Sequence, residues 1–227
     1  MVLKPPRAER LAIEGPAGAL QTLVETPVTE RGEPQPLGVP AFAVVCHPHP
    51  LFGGTLDNKV VYTVARAFEQ LGAPAIRFNF RGVASSTGSY DEGRGEGDDA
   101  LAVIAWGRRR WPGTPLWLAG FSFGGAVALR IAQQAQPQRL VLVAPGITRL
   151  ERADFDAARA AEPTCPWLIV QGDADEVVPT SAVLAWAAER RPLPGVARPE
   201  VSLVPGASHF FHGRINELRD TVLAFMR

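Results

Sequence analysis

Short runs of apolar residues alternate with longer amphipathic segments along most of the chain. The runs are rich in β-branched and aromatic residues, and they span residues 41–46, 75–80, 116–121, 140–144, 167–171 and 201–204. They mostly lack a polar residue at every second position, which is typical of strands buried on both faces. The segments between them have the pattern of helices and span residues 55–71, 97–110, 123–135, 151–161, 179–190 and 214–226. This alternation predicts an α/β fold, with a mostly parallel sheet covered by helices on both faces.

The first 40 residues have a different pattern, with many prolines and glycines. The stretches L-A-I-E at 11–14 and L-Q-T-L-V-E at 20–25 flank G-P-A-G, and this arrangement predicts a β-hairpin. The hairpin would add antiparallel strands at one edge of the sheet. Residues 31–40 are predicted to form a loop that is too short to link two domains. We therefore expect a single domain over residues 1–227.

The composition fits one domain with an apolar core and gives no sign of a charged partner. The chain has 227 residues, of which 46% are hydrophobic and 20% are charged. Lys plus Arg and Asp plus Glu number 23 each, so electrostatics gives no reason to expect nucleic acid or an anionic membrane as a partner. No apolar run reaches the roughly 20 residues that a bilayer span needs, and residues 1–10 lack the apolar core of a signal peptide. We expect a cytoplasmic protein, with Cys46 and Cys165 as reduced, buried thiols.

The stretch A-G-F-S-F-G-G at 119–125 places a serine, Ser122, between two glycines at the junction of a predicted strand and a predicted helix. In a parallel α/β sheet, ligands bind beyond the carboxyl ends of the strands. A G-x-S-x-G turn in this context resembles the nucleophile elbow of α/β-hydrolases. Such a turn is so sharp that a side chain at either flanking position, Gly120 or Gly124, would collide with the neighbouring strand or helix. The context therefore favours a nucleophilic Ser122 over a serine in a flexible connector.

A serine hydroxyl is a weak nucleophile and needs a base together with an acid that orients the base. In α/β-hydrolases the acid and then the histidine follow the serine along the chain. Of the histidines after Ser122, His209 follows the strand 201–204 directly and is preferred as the base, whereas His212 lies nearer the last helix. The loop G-D-A-D-E-V-V-P at 172–179 offers Asp173, Asp175 and Glu176 as candidates for the acid. Asp175 is preferred there, with Asp173 as an alternative that would otherwise fix the turn by accepting backbone N–H groups.

Acyl transfer also needs N–H donors for the oxyanion. One candidate is the backbone N–H of Phe123, which follows the nucleophile, and the other is that of Leu51 in the loop C-H-P-H-P-L-F-G-G-T. His47 and His49 in this loop have no accompanying cluster of carboxylates or cysteines, so a metal site is not predicted. Their rings are expected to form hydrogen bonds that stiffen the loop, and no cofactor is expected.

With these residues assigned, the chain resembles α/β-hydrolases over nearly its whole length. More narrowly, it is similar to a bacterial group of small lidless hydrolases related to dienelactone hydrolases. The matching stretches are C-H-P-H-P-L-F-G-G-T-L-D-N-K-V-V, R-F-N-F-R-G-V-A-S-S-T-G, G-F-S-F-G-G, G-D-A-D-E-V-V-P and G-A-S-H-F-F-H-G-R. The resemblance implies a triad of Ser122, Asp175 and His209, with an oxyanion hole at Leu51 and Phe123.

The chain departs from the related families at two positions. Dienelactone hydrolases use a cysteine nucleophile where this chain has Ser122, so their substrate is not implied. Haloalkane dehalogenases would need an aspartate there, which excludes their chemistry. In R-G-V-A-S-S-T-G the family usually has glycine where this chain has Ala84, a change on a loop near the site.

The resemblance implies hydrolysis of a small-molecule carboxylic ester. The connection between the strands 140–144 and 167–171 has about 22 residues, too few for a large lid, so an open pocket for short to medium acyl chains is expected. Phe52, Phe121 and Phe210 are candidates for substrate contact. A thioesterase, a hydrolase of small peptides and a non-catalytic binding module remain alternatives, because a fold does not fix a function. The chain is expected as a monomer or a homodimer.

Overall fold

An eight-stranded sheet forms the centre of the fold. The computed structural model describes residues 5–28, 40–147, 163–190 and 198–227. The strands, in chain order, are β1 (Arg7–Gly15), β2 (Gly18–Thr26), β3 (Phe42–Cys46), β4 (Ala75–Phe78), β5 (Leu116–Phe121), β6 (Arg139–Val143), β7 (Trp167–Gly172) and β8 (Pro199–Val204). Their order across the sheet is β1-β2-β4-β3-β5-β6-β7-β8. β1 and β2 form the predicted hairpin and join β4 in antiparallel pairing, while all pairs from β4 to β8 are parallel.

Helices cover both faces of this sheet. In the described part of the chain they are α1 (Lys59–Gln70), α2 (Arg94–Arg110), α3 (Phe123–Ala135), α4 (Thr180–Ala188) and α5 (Ile215–Met226). α1 and α5 pack on one face, in a cluster that includes Val60, Phe68, Leu218 and Val222. α2, α3 and α4 pack on the other face. The central strands of the sheet are therefore buried between two apolar layers, as the continuous apolar runs predict.

The prediction of an α/β fold with an antiparallel N-terminal hairpin is confirmed, and two helix starts differ from the pattern. α1 begins at Lys59 rather than near residue 55, because the side chain of Asn58 accepts the N–H of Val60 and caps the helix there. α2 begins earlier than predicted, since the Glu96 carboxylate accepts the N–H of Gly93 and stabilises the first turn. The predicted helix 151–161 lies outside the described residues.

β8 is the strand that fits the two-face burial prediction least. Only Val204 among its six residues is buried, while every residue of β3, β5 and β7 is buried. β8 lies at an edge of the sheet, so one side of it has no neighbouring strand. Its short apolar run V-S-L-V resembles the central strands in sequence, and its position at the edge is set by the sheet order.

Candidate active site

Ser122 lies in the turn between the end of β5 and the start of α3. Its backbone has φ 54° and ψ −119°, a left-handed φ that residues other than glycine rarely adopt. The backbone around it is held firmly: the Ser122 N–H donates to the carbonyl of Val143 at 2.9 Å, and its own carbonyl accepts the N–H of Gly146 at 2.9 Å. Strain of this kind, of order 1–3 kcal/mol, persists only where the surroundings fix it and is frequent at functional sites.

The glycines on either side of Ser122 are required by space. A Cβ at Gly120 would collide with the backbone of Gly124, and a Cβ at Gly124 would collide with the carbonyls of Cys46 and His47. The end of β5 therefore lies too close to α3 for a side chain to fit between them. The start of α3 lies equally close to the loop after β3. This close approach is the physical reason for the G-x-S-x-G spacing.

The structure brings three of the predicted residues into one hydrogen-bonded chain. The Nε2 atom of His209 lies 3.0 Å from the Oγ of Ser122, and its Nδ1 lies 2.8 Å from Oδ2 of Asp175. The side chains of His209 and Asp175 are 3% and 0% exposed, so both act in a largely water-free setting. When Nδ1 carries a proton and donates a hydrogen bond to Asp175, Nε2 is free to accept the proton of the serine hydroxyl.

Asp175 lies in the loop after β7 and accepts four hydrogen bonds. Oδ1 accepts the N–H groups of Val177 and Val178 at 2.9 and 2.8 Å, and Oδ2 accepts from His209 and from the side-chain amide of Gln171 at 2.8 and 2.9 Å. Burial of Asp175 favours its neutral form, but the hydrogen bonds from His209, Val178 and Val177 outweigh burial and hold its pKa below the usual value. The carboxylate is therefore ionised at neutral pH.

Asp173 and Glu176 connect this loop to the loop that carries His209. Oδ1 of Asp173 accepts the N–H of Gly206 at 2.6 Å, which matches the turn-fixing role expected for it if Asp175 orients the base. The carboxylate of Glu176 accepts the N–H of His209 at 3.3 Å. A Cβ at Gly172 would collide with the carbonyl of Ala207, so these two loops pack tightly against each other. Asp173 therefore supports the histidine loop without contacting the imidazole ring.

The two predicted oxyanion donors have different surroundings. Phe123 is the first residue of α3, so its N–H has no acceptor within the helix. The N–H of Leu51 donates to Nδ1 of His49 at 3.2 Å, and through this bond the His49 side chain caps a short 3-10 turn, Pro50–Phe52. Leu51 therefore reaches a substrate oxygen only if that bond is exchanged, a constraint that the sequence pattern does not reveal.

His47 and His49 hold the loop in place, as expected. The ring of His47 is fully buried and bonds to the carbonyl of Pro48 at 2.6 Å through Nδ1, while its Nε2 accepts the N–H of Phe80 at 3.0 Å. Burial lowers the pKa of His47 to about 4, so the ring is neutral at physiological pH. Among the described residues, no group of three or more His, Cys, Asp or Glu side chains is arranged to hold a metal ion.

The three predicted substrate-contact residues differ strongly in exposure. Phe52 is 75% exposed and Phe210 is 36% exposed, so both offer apolar surface to a ligand. Phe121 is only 1% exposed, and its ring centroid lies 5.0 Å from that of His209. The expectation that Phe121 contacts substrate does not fit this burial. Phe121 is the last residue of β5, and its buried ring packs against the imidazole ring of His209.

Two residues near the site were missed by sequence reasoning. Tyr90 lies with its hydroxyl 3.2 Å from Nε2 of His49, and its ring lies 5.9 Å from that of Phe123. Gln171 is fully buried at the end of β7 and bonds to Asp175. A polar residue at the end of an otherwise apolar strand run, as in W-L-I-V-Q, is the signal that could have identified Gln171.

Comparisons with known proteins agree with this fold. A family model described as "alpha/beta hydrolase fold" matches residues 45–161, just over half of the 227 residues. A Xanthomonas campestris protein, described as an α/β serine hydrolase without a lid, is 39% identical with a TM-score of 0.84, and the match covers 100% of this chain and 97% of that one. An α/β serine hydrolase homologue from Coxiella burnetii is also 39% identical with a TM-score of 0.84, covering 96% and 97% of the two chains.

A relative described as uncharacterised is also similar in sequence. A Rickettsia prowazekii protein is 31% identical over 182 residues, which is 79% of this chain and 76% of the relative. The chain belongs to the α/β-hydrolase family. Its fold, together with relatives described as serine hydrolases, supports a hydrolase. Within the described residues, no helix is both long and apolar enough to cross a membrane.

Proposed function

We propose that this protein is a serine hydrolase that cleaves carboxylic esters of short to medium acyl chains through an acyl-enzyme intermediate. The observation that carries the proposal is the hydrogen-bonded chain from Ser122 Oγ through His209 to Asp175, with distances of 3.0 and 2.8 Å. The 3.0 Å distance lies within the range for proton transfer from the nucleophile to its base, and the 2.8 Å distance allows Asp175 to orient that base.

In the acylation half of the cycle, Ser122 Oγ attacks the ester carbonyl while its proton moves to Nε2 of His209. The negative charge that develops on the carbonyl oxygen is stabilised by the N–H of Phe123 and by that of Leu51, once Leu51 exchanges its bond to His49. The intermediate then collapses, and the bond to the alcohol oxygen breaks. His209 returns the proton to that oxygen, so the alcohol leaves neutral and Ser122 carries the acyl group.

In the deacylation half, a water molecule takes the place of the alcohol. His209 accepts a proton from the water as the water oxygen attacks the acyl carbonyl. The intermediate then collapses, the bond between the acyl carbon and Ser122 Oγ breaks, and His209 returns the proton to Oγ as the acid is released. Asp175 keeps the proton on Nδ1 and stabilises the imidazolium in both halves. The lowered pKa of Asp175 supports this role, because an ionised carboxylate is needed opposite a charged ring.

The preference for short to medium acyl chains rests on how open the site is. Phe52 and Phe210 are both exposed, and the connection between β6 and β7, residues 144–166, is too short for a large lid. An open apolar surface of this kind accommodates a small acyl group but buries little of a long chain. A long chain would therefore gain little binding energy from additional methylenes.

Hydrolysis of p-nitrophenyl acetate, butyrate, octanoate and palmitate tests the proposal, with S122A as the inactive variant. Activity is expected on the shorter esters and should vanish in S122A. S208A is a matched control, since Ser208 lies next to His209 and its hydroxyl has no hydrogen-bond partner among the described residues. Faster hydrolysis of palmitate than of butyrate would contradict the open site.

Absence of hydrolysis on all four esters would overturn the esterase proposal. A fluorophosphonate probe that labels Ser122 would then separate a hydrolase of another acyl substrate, such as a thioester, from a binding module. The probe should label wild type and S208A but not S122A, because only an activated serine reacts with it.

A further inference from the structure

Gln171 is a buried polar residue on the apolar face of a central strand. It is the fifth residue of β7 and is 0% exposed. Alternate residues of a strand share a face, so Gln171 lies on the side of Trp167 and Ile169, which belong to the core beneath α2, α3 and α4. An amide in such a position costs free energy unless its polar atoms are hydrogen-bonded.

The hydrogen bonds of Gln171 fix the orientation of its amide. Nε2 donates to Oδ2 of Asp175 at 2.9 Å and to the carbonyl of Val178 at 3.1 Å. Both partners are acceptors only, so a flipped amide would place oxygen against two oxygens. In the part of the chain that the structure describes, Oε1 is buried and has no hydrogen-bond partner. The orientation that leaves Oε1 without a hydrogen bond is thus the one that allows Nε2 to donate to both Asp175 and Val178.

Oδ2 of Asp175 is the atom that His209 and Gln171 share. It accepts from Nδ1 of His209 at 2.8 Å and from Nε2 of Gln171 at 2.9 Å, while Oδ1 is held by the backbone of Val177 and Val178. Among the described residues, the titratable groups bonded within this arrangement are Asp175 and His209, with Glu176 bonded to the His209 backbone. In the same part of the chain, Gln171 is the side chain other than His209 that bonds to the carboxylate.

We propose that Gln171 is a positioning residue of this hydrolase, whose side-chain N–H holds the Asp175 carboxylate in the orientation that presents Oδ2 to His209. This inference rests on the proposed function. The side chain of Gln171 is fully buried and bonds to Asp175 and to the carbonyl of Val178, so it acts through Asp175. The second bond, to the carbonyl of Val178, holds the amide against the loop that carries Asp175. This bond fixes the loop relative to β7.

Two substitutions separate positioning from simple core packing. Q171M keeps the length and roughly the volume of the side chain but removes both donors. Q171E keeps the shape and replaces the amide with a carboxyl group that can donate only while it is protonated. Q138M is a control for the same side-chain change away from the site: Gln138 accepts the indole N–H of Trp117, is exposed, and precedes β6 at the opposite end of the strands.

Q171M is expected to lower kcat about 10- to 100-fold and leave KM within about threefold of wild type. The reason is that substrate binding does not involve Asp175, whereas proton transfer needs the imidazole held in place. Q138M should match wild type in both constants. A kcat of Q171M within twofold of wild type would overturn the inference, as would a rise in KM with kcat unchanged.

The pH profile of Q171E gives a signature that a packing role would not produce. Because the ionised Asp175 lies beside it, the introduced carboxyl should keep its proton near neutral pH and donate to Oδ2. Q171E should therefore exceed Q171M in kcat/KM near neutrality and lose this advantage at alkaline pH, where its carboxyl ionises and repels Asp175. Equal activity of the two variants at every pH would contradict the inference.

A measurement without substrate keeps this inference separate from the proposed function. The NMR signal of the His209 Nδ1–H proton in the free protein should shift or broaden in Q171M and stay unchanged in Q138M. An unchanged signal in a folded Q171M would overturn the inference even if the wild type hydrolyses esters. Conversely, a wild type that is inactive on all esters would remove the proposed function, while the NMR comparison would still test the contact with Asp175.

Discussion

The Nε2 atom of His209 lies 3.0 Å from the Oγ of Ser122, although 87 residues separate them in the chain. The sheet order explains how they meet. β6 and β7 lie between β5 and β8, and all four strands are parallel. The loops after β5, β7 and β8 therefore lie at the same carboxyl end of the strands, so the serine, the aspartate and the histidine come close together.

Exchange of the orienting acid should abolish most of the activity. D175N removes the negative charge opposite the imidazole and favours the wrong tautomer, so kcat is expected to fall on the order of 10⁴-fold. Steady-state hydrolysis of p-nitrophenyl butyrate measures it. D173N is the matched control: an asparagine oxygen can still accept the N–H of Gly206, so its kcat should change less than tenfold. A larger loss in D173N than in D175N would show that the acid is misassigned.

Substitution of the second elbow glycine should destabilise the fold. In G124A the added methyl group meets the carbonyls of Cys46 and His47, which are backbone atoms and cannot rotate away. We expect a loss of at least about 2 kcal/mol in the free energy of unfolding, measured by urea denaturation. G146A is the control, because a Cβ there makes only ordinary contacts with the Ser122–Phe123 backbone. Equal stability of the two variants would contradict the close approach of α3 and the loop after β3.

Glycine at position 84 should stabilise the protein. Ala84 has φ 51°, in the left-handed region that costs residues with a Cβ roughly 1 kcal/mol and that glycine adopts without this strain. A84G should therefore raise the midpoint of thermal unfolding, because the relief of this strain outweighs the entropy that glycine adds to the unfolded chain. S85G, one residue along and without a positive φ, should leave it unchanged or lower it, because glycine adds entropy to the unfolded chain. A lower midpoint for A84G would contradict the strain.

Glu69 lies far from the site, and its buried carboxyl should make the stability of the protein depend on pH. Burial raises its pKa to about 8 from an ordinary 4.5, and the charge of Glu25 adds to the rise, while Arg66 and Arg77 oppose it. Between these two pH values the folded chain keeps a proton that the unfolded chain has lost. The free energy of unfolding therefore falls as pH rises through this window, by at most about 1.4 kcal/mol per pH unit.

E69Q removes this titration, so its stability relative to wild type should increase steadily from pH 5 to pH 8. Urea denaturation at each pH gives the difference. E217Q, at an exposed position on α5, should show no such trend. A constant difference between E69Q and wild type across this range would mean that Glu69 is ionised in the folded protein.

Particular elements show how far the sequence alone could predict the fold. The boundaries of β5 and α3 match the predicted ranges to the residue, because the apolar run and the helix meet at the glycine-flanked turn. α1 and α2 start elsewhere than predicted, because the side chains of Asn58 and Glu96 form hydrogen bonds that cap them. The spacing of apolar residues does not reveal these bonds. Ser122 and His209 could be selected from chain order and flanking residues. Choosing between Asp173 and Asp175 required the contacts of each carboxylate.

The sequence by itself determined the alternation of strands and helices, the hairpin and the sharp turn at Ser122, because these follow from the local period of apolar residues and from glycine at fixed spacing. Only the tertiary structure decided which carboxylate reaches His209, that Phe121 is buried, and that Leu51 already donates to His49. These facts depend on how loops from distant strands pack against one another. That packing is a property of the sheet order and close contact, and no local pattern of residues contains it.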